Sequence, residues 1–217
     1  MGVGTLAEPA TERREREEFE RQIATHEMTV IRDDGLHRHL RFKRPDTGMY
    51  YFDLLTWPGH LCISGDASDA LVFSRIEDMF KFFASEHGHR INPQYWAEKL
   101  LIPGRGQAVM SYSEEGYLAH VREWIAEKAE EMEEDEADDA AAFKAAAREH
   151  LLDEEVIRHE ETAREALWSF EHDGLRIYEP WEWSLREYDF RYLWSCHAIV
   201  WGIEQYRAAR VSEATHA

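Results

Sequence analysis

Five side chains in the first third of the sequence have the chemistry to hold a metal ion. His37 and His39 are two residues apart, His60 and Cys62 are two residues apart, and Asp53 stands between the pairs. Residues two apart on a β-strand share a face. With Asp53 pointing outward beside them, two His from one strand plus Cys or Asp from another would offer donors for a tetrahedral zinc site, the strand order being open. A metal-dependent enzyme is therefore one reading. Zinc sites are commonly built from close-spaced pairs such as CxxC, and the sequence has none. The expectation is surface histidines beside a buried cysteine, with no metal or other cofactor.

Nucleophilic chemistry has one further candidate. Cys62 with a histidine, oriented by Asp66, would form a thiol–imidazole arrangement. Cys196 and His197 are adjacent on a predicted helix, so their side chains diverge and form no dyad; His197 reads as a core histidine. The stretch GRGQ (104–107) lacks the Lys-Ser or Lys-Thr ending of a phosphate loop. Glu86 and His89 have ExxH spacing, but Gly88 between them argues against a ligand-bearing helix. No catalytic residue is assigned.

Charge carries more information than any motif. The chain has 217 residues with 44 Asp and Glu against 25 Lys and Arg, a net charge of −19. Residues 28–110 hold ten acids and ten bases, whereas 111–173 hold 21 acids and 6 bases, net −15. The densest run gives Glu130, Glu131, Glu133, Glu134, Asp135, Glu136, Asp138 and Asp139 as candidate partner-binding residues. Carboxylates on stable helices repel DNA and steer the chain toward cationic proteins. The alternative for the same run is a solvated face or an acidic linker. Net charge of this sign excludes a general nucleic-acid binder. With 44% hydrophobic residues and eight Trp the chain is too apolar for disorder. Two Cys exclude a disulfide scaffold and suit a reducing cytoplasm.

These side chains need elements to position them. Residues 11–26 read as a peripheral helix with a thin stripe of Phe19 and Ile23. Residues 27–43 alternate as a hairpin around Asp33-Asp34-Gly35. A two-residue loop at Asp34-Gly35 pairs Val30 with His39 and mixes the faces. A three-residue loop pairs Met28 with Leu40 and Val30 with Arg38. It places Met28, Val30, Leu40 and Phe42 on one face and His37, His39, Arg41 and Lys43 on the other, and is preferred. That basic face, with Tyr51 nearby, could meet phosphate or a carboxylate, or stay an exposed sheet surface. Strands follow at 50–57, 60–64 and 70–74.

Helical spacing begins at Ser74, where Ser74 and Glu77 form a capping box and Gly88 closes the helix. Asn92 and Pro93 open a short helix. Ser111 and Glu114 open the next, with Tyr117, Leu118, Val121, Trp124 and Ile125 inward. Asp153 caps a third long helix bearing Val156, Ile157, Ala163, Leu167 and Phe170. Ser184 and Glu187 cap a helix to about Ala209. That last helix holds the uncharged run 192–203, far short of the roughly 20 residues a membrane span needs. Trp181, Trp183, Tyr188, Tyr192, Trp194 and Trp201 crowd this end; Trp181 and Trp183 alternate, so one of the two is expected at the surface.

The expected fold is α+β: an antiparallel sheet of four to five strands packed against a mainly helical C-terminal part. The expected organisation is a peripheral N-terminal helix at 1–26, sheet and two short helices at 27–110, an acidic helical subdomain at 111–173, and a core helix at 174–217 returning to 27–110. The blocks FDLLTWPGHLCISGD (52–66), FSRIEDMFKFF (73–83), INPQYWAEKL (91–100) and FRYLWSCHAIVWGIEQY (190–206) resemble an uncharacterised family of proteins from tailed phages and prophages. The resemblance implies a mobile-element setting in a bacterial cytoplasm and carries no catalytic residue. The functional expectation is a non-catalytic binding protein that engages a basic, nucleic-acid-handling host protein as an inhibitor of host defence, with no membrane partner and no direct nucleic-acid contact. The alternatives are the metal-dependent enzyme above and a structural, oligomer-forming phage accessory protein.

Overall fold

The structure is a computed structural model that describes residues 10–68, 70–84, 90–133 and 137–216. Along the chain lie α1 (Ala10–Ile23), β1 (Glu27–Asp34), β2 (His37–Lys43), β3 (Phe52–Trp57), β4 (His60–Gly65), β5 (Leu71–Ser74), α2 (Met79–Phe83) and α3 (Pro93–Ala97). There follow β6 (Met110–Tyr112), α4 (Glu114–Glu133), α5 (Ala137–Leu151), α6 (Glu154–Ile157), α7 (Glu160–Ser169), β7 (Glu171–His172), β8 (Leu175–Arg176), β9 (Arg186–Tyr188) and α8 (Phe190–His216). The fold is α+β, and the chain divides into two compact units, 1–109 with 188–217, and 110–187. The second unit thus runs past 173, because Ile177 and Leu185 are buried in its core.

The first unit is built on a five-stranded antiparallel sheet in the order β1-β2-β3-β4-β5. Alternation sets its faces. Leu40 and Phe42 sit opposite Leu54 and Phe52, Leu54 opposite Ile63, and Ile63 opposite Leu71, so one face is apolar. The other face carries His37, His39 and Arg41 from β2, Asp53, Leu55 and Trp57 from β3, and His60, Cys62 and Ser64 from β4.

The hairpin register differs from both sequence readings. The loop is Gly35-Leu36, with Asp34 opposite His37. Gly35 has a positive φ and takes the first central position, where a two-residue loop favours glycine. A bulge at Ile31 then shifts the pairing, so Val30 meets Leu40 and Met28 meets Phe42. Without the extra residue, this loop would turn Met28 and Val30 onto the basic face. Leu40 and Phe42 are fully buried, as their alternation predicted.

α8 lies across the apolar face. Its backbone comes so close at Gly202 that an added Cβ would stand 2.7 Å from Leu54 Cδ1 and 3.1 Å from two Phe42 ring atoms. Trp194 and Trp201 meet the Phe52 ring at 5.5 and 6.1 Å. α1 is part of this core rather than peripheral. Phe19 and Ile23 are buried, Phe19 meets Trp194 at 5.4 Å, and Trp194 Nε1 donates to Gln22 Oε1 at 2.8 Å.

Several helix starts move from their expected places. Ser74 is paired in β5, its N–H donating to Lys99 O at 2.9 Å, and no helix starts behind it. α2 begins instead behind Asp78, whose side chain accepts from Phe80 N. Gly88, the expected end of that helix, lies outside the described residues, as do Glu86 and His89. Ser111 lies in β6, and Ser113 Oγ accepts from Gly116 N at 2.9 Å. Residues 186–188 are strand, so Asp189 rather than Ser184 caps α8, accepting from Arg191 N at 2.7 Å. Asp153 does cap a helix, but α6 is one turn long, and the chain restarts at α7. Asn92 caps α3 with Pro93 at its first turn, as the sequence indicates.

Gly202→Ala tests the close approach. Alanine should favour the helix by about 1 kcal/mol, yet the overpacked methyl should cost roughly 1–3 kcal/mol. A net loss of stability in urea unfolding is expected; a gain would mean α8 does not sit so tightly on the sheet.

Candidate interaction surface

The second unit concentrates the charge. Residues 110–187 hold 24 acids and 8 bases, net −16, which leaves 20 acids and 17 bases for the first unit, net −3. Of the 24 acids, 15 lie on α4, α5, α6 and α7. Tyr117, Val121, Ile125 and Ala129 recur every fourth residue along α4, and Phe143, Ala147 and Leu151 do so along α5, with Ala140 one turn before them; all eight are buried. These stripes face inward, with Leu118, Trp124 and Met132 of α4 packed beside them, and the exposed positions are mostly acidic or alanine. Tyr117 locks the pair by donating its hydroxyl to Leu151 O at 2.9 Å, and burial pushes its phenol pKa far up.

Four of the eight sequence-proposed contact residues are shown at the surface of this unit. Glu130 and Glu131 are exposed near the end of α4, and Asp138 and Asp139 are exposed in the first turn of α5. Glu133 ends α4; Glu134, Asp135 and Glu136 lie outside the described residues. Lys128 answers Glu131 at 2.8 Å and Glu127 at 3.8 Å. Ion pairs at such a solvent-facing position contribute little. α4 continues through Glu133 and α5 resumes at Ala137, so the acidic run is not a long linker.

The outer sheet face holds all five metal candidates and uses several of them otherwise. Arg41 grips Asp53 with two hydrogen bonds, Nε to Oδ1 at 2.8 Å and Nη2 to Oδ2 at 2.7 Å, while His39 Nε2 lies 3.3 Å from Oδ2. Burial pushes the Asp53 carboxyl up, but these two partners outweigh it and hold the pKa below the usual carboxylate range. His60 Nδ1 lies 3.0 Å from Pro58 O, and its ring stacks on Trp57 at 4.9 Å. Cys62 is half-buried, which raises its thiol pKa, and sits opposite Leu55 rather than a histidine. His37 is exposed at the hairpin end. Among the described residues no three His, Cys, Asp or Glu side chains form a group able to hold a metal ion. Asp66, the proposed orienter, accepts from Tyr50 N at 2.9 Å instead.

Two cavities hold titratable groups. One in the first unit, of about 200 Å³, is lined by Arg16, Phe19, Glu20, His197, Val200 and Trp201. His197 is buried there and stacks on Phe19 at 5.7 Å, as a core histidine would. Cys196 is fully buried, and burial drives its thiol pKa far up, away from reactivity. The other cavity, in the second unit, is open and about 300 Å³; there His150 Nε2 lies 3.1 Å from Ser169 Oγ. Both residues are exposed, and the pair is a surface hydrogen bond.

Sequence reading missed one feature of the second unit. Trp181 is 59% exposed and Trp183 half-buried, as their alternation predicts, but Trp181 is not alone. Trp168 on α7 is 69% exposed, its ring centroid 5.6 Å from that of Trp181, and Tyr178 is 89% exposed. The helical period carried the signal: Ala163, Leu167 and Phe170 define the inward side of this helix, and Trp168 falls off it.

No protein-family model, no curated protein and no solved structure matches the chain. Among the described residues no helix is long and apolar enough to cross a membrane.

Asp53 makes a pH prediction. Its pKa is depressed in the folded state, so its contribution is complete above the unfolded value of about 3.9 and is lost as pH falls through the folded value. The melting-temperature difference between wild type and Asp53→Asn should be constant near neutrality and shrink below about pH 4. A difference independent of pH would mean that the Arg41–Asp53 pair does not stabilise the fold.

Proposed function

We propose that this chain is a non-catalytic binding protein whose second unit engages a basic protein partner. The observation that supports it most is the net charge of −16 on a helical unit with its own apolar core. An acidic linker would place such charge on a mobile chain. Here the carboxylates of α4 and α5 are spaced by helical geometry, which gives a cationic partner a fixed array to match. A field of this sign raises the encounter rate with cationic proteins and excludes nucleic acid. The likeness of the four sequence blocks to phage and prophage proteins supplies a setting. In that setting the partner is a nucleic-acid-handling host protein whose phosphate-binding groove the acidic array occupies, as an inhibitor of host defence.

The test uses octa-lysine as a cationic probe and stopped-flow association. Exposed charges are screened over about 8 Å at physiological salt. The association rate should therefore fall steeply with added salt. A quadruple variant of the second unit, Glu130→Gln, Glu131→Gln, Asp138→Asn and Asp139→Asn, should lower that rate about three- to tenfold at low salt. A control of the first unit, Glu17→Gln, Glu27→Gln, Asp46→Asn and Glu77→Gln, removes the same four charges from exposed positions. It should change the rate far less. Equal slowing by both variants would reduce the effect to net charge and sink the proposal.

A further inference from the structure

The exposed aromatic pair identifies what the acidic surface grips. We propose that Trp168 and Trp181 anchor an arginine side chain of the basic partner, an inference that rests on the binding role proposed above for the second unit.

Both rings are presented on ordered backbone. Trp168 lies on α7 between the buried Leu167 and Phe170. Trp181 lies in a 3₁₀ turn, Pro180–Glu182, flanked by buried Pro180 and half-buried Trp183, which packs against the unit's core. The turn is closed by Glu182 N donating to Glu179 O at 2.9 Å. Glu179 itself adopts a left-handed backbone conformation with positive φ. That conformation is uncommon outside glycine and persists only where surrounding structure enforces it. The indoles meet at 5.6 Å and 45°, each steadying the other and leaving its remaining face to solvent. Two large rings exposed side by side offer a ready contact, and tryptophan is enriched at the energetic centres of protein interfaces.

The surrounding charge selects the occupant. Glu161 and Glu165 precede Trp168 by two turns and one on α7, and Glu179 and Glu182 flank Trp181; all four are exposed. The bases of this region are committed elsewhere. Arg164 and Arg186 bond Glu160 at 2.9 and 2.8 Å, and Arg176 pairs with Glu171. A cation placed over the indoles would gain both the ring faces and the uncompensated carboxylates. Arginine suits this better than lysine, because its flat, weakly hydrated guanidinium stacks on an aromatic face while its N–H groups reach carboxylates on either side. A nucleic-acid base could stack on the same rings, but its phosphates would meet four carboxylates.

The experiment compares octa-arginine, octa-lysine and oligothymidylate as titrants of the full chain, with Trp168→Ala and Trp181→Ala as variants. Wild type should bind octa-arginine more tightly than octa-lysine and should not bind oligothymidylate. Each Trp variant should lose about two- to fivefold in affinity for octa-arginine, the range of an exposed cation–π contact, and keep its affinity for octa-lysine. Both rings are exposed, so the melting temperatures should stay close to wild type. No arginine preference in wild type, unchanged octa-arginine binding in the variants, or equal weakening toward both peptides would each overturn the anchor. Oligothymidylate binding that disappears in the Trp variants would replace it with a base-stacking site. The quadruple carboxylate variant separates the two proposals. If it weakens both peptides while the Trp variants bind normally, the acidic surface stands and only the anchor falls. If it weakens neither, the acidic surface falls and the Trp variants still decide the anchor.

Discussion

The first unit depends on the contact between α8 and the apolar face of the sheet. A twisted five-stranded sheet with one greasy face must cover that face. Leu40, Phe42, Phe52, Leu54, Leu61 and Ile63 are all fully buried. Burial of such a side chain contributes about 1.5–3 kcal/mol before entropy is counted. A helix with a long uncharged run is the element that can lie there without stranding charge, and the missing side chain at Gly202 lets it settle against Leu54 and Phe42. α1 docks against α8 through Phe19 and Trp194, and α2 brings Phe80 to 5.5 Å from Tyr206 of the same helix. Charge at the margin of this packing is matched: Arg38 Nη1 donates to Asp78 Oδ1 at 2.9 Å, and the guanidinium lies 4.6 Å from the Phe80 ring.

The second unit meets a different constraint. A net charge of −16 in so small a unit is self-repelling, so its core must offset that repulsion as well as chain entropy. The aromatic centre of Trp124, Phe143 and Phe170, with edge-to-face contacts at 5.6 to 6.2 Å, supplies apolar burial. Alanines at 129, 140 and 147 are buried along the same helices and leave room for those rings. Acids in the first turns of α4, α5, α6 and α7 also sit where helix dipoles favour them, so part of the negative charge stabilises the helices that carry it. A unit of this kind can expose carboxylates without unfolding, which is the property a recognition surface needs.

The candidate surface combines two effects with different ranges. Carboxylates act over a Debye length and govern encounter; an aromatic pair acts only in contact and governs how long an encounter lasts. On the outer sheet face the side chains with the right chemistry are spent on one another: Asp53 on Arg41 and His39, and His60 on Trp57.

Local patterns in the sequence determined what each element buries. Period-two alternation alone assigns Leu40, Phe42, Phe52, Leu54 and Ile63 to one face and His39, Arg41 and Asp53 to the other, because a strand side chain has only two directions. Asn92 before Pro93, and Asp153 before Glu154, mark helix starts because capping is settled within a few residues. The concentration of charge after residue 110 was readable by counting. Tertiary structure decided the rest. The bulge at Ile31 puts Met28 and Val30 on the side of Leu40 and Phe42, yet Val30, expected in the apolar face, stays 48% exposed on this edge strand. Ser74 has the chemistry of a cap, yet it is paired with His60 at the end of β5, and the helix starts only at Met79. α1 looks peripheral until α8, at the far end of the chain, supplies its partner. The pairing of Trp168 with Trp181 likewise joins two segments, of which the sequence pattern says only that one of Trp181 and Trp183 lies at the surface. That they meet follows from how α7 and the 3₁₀ turn pack, which no local period encodes.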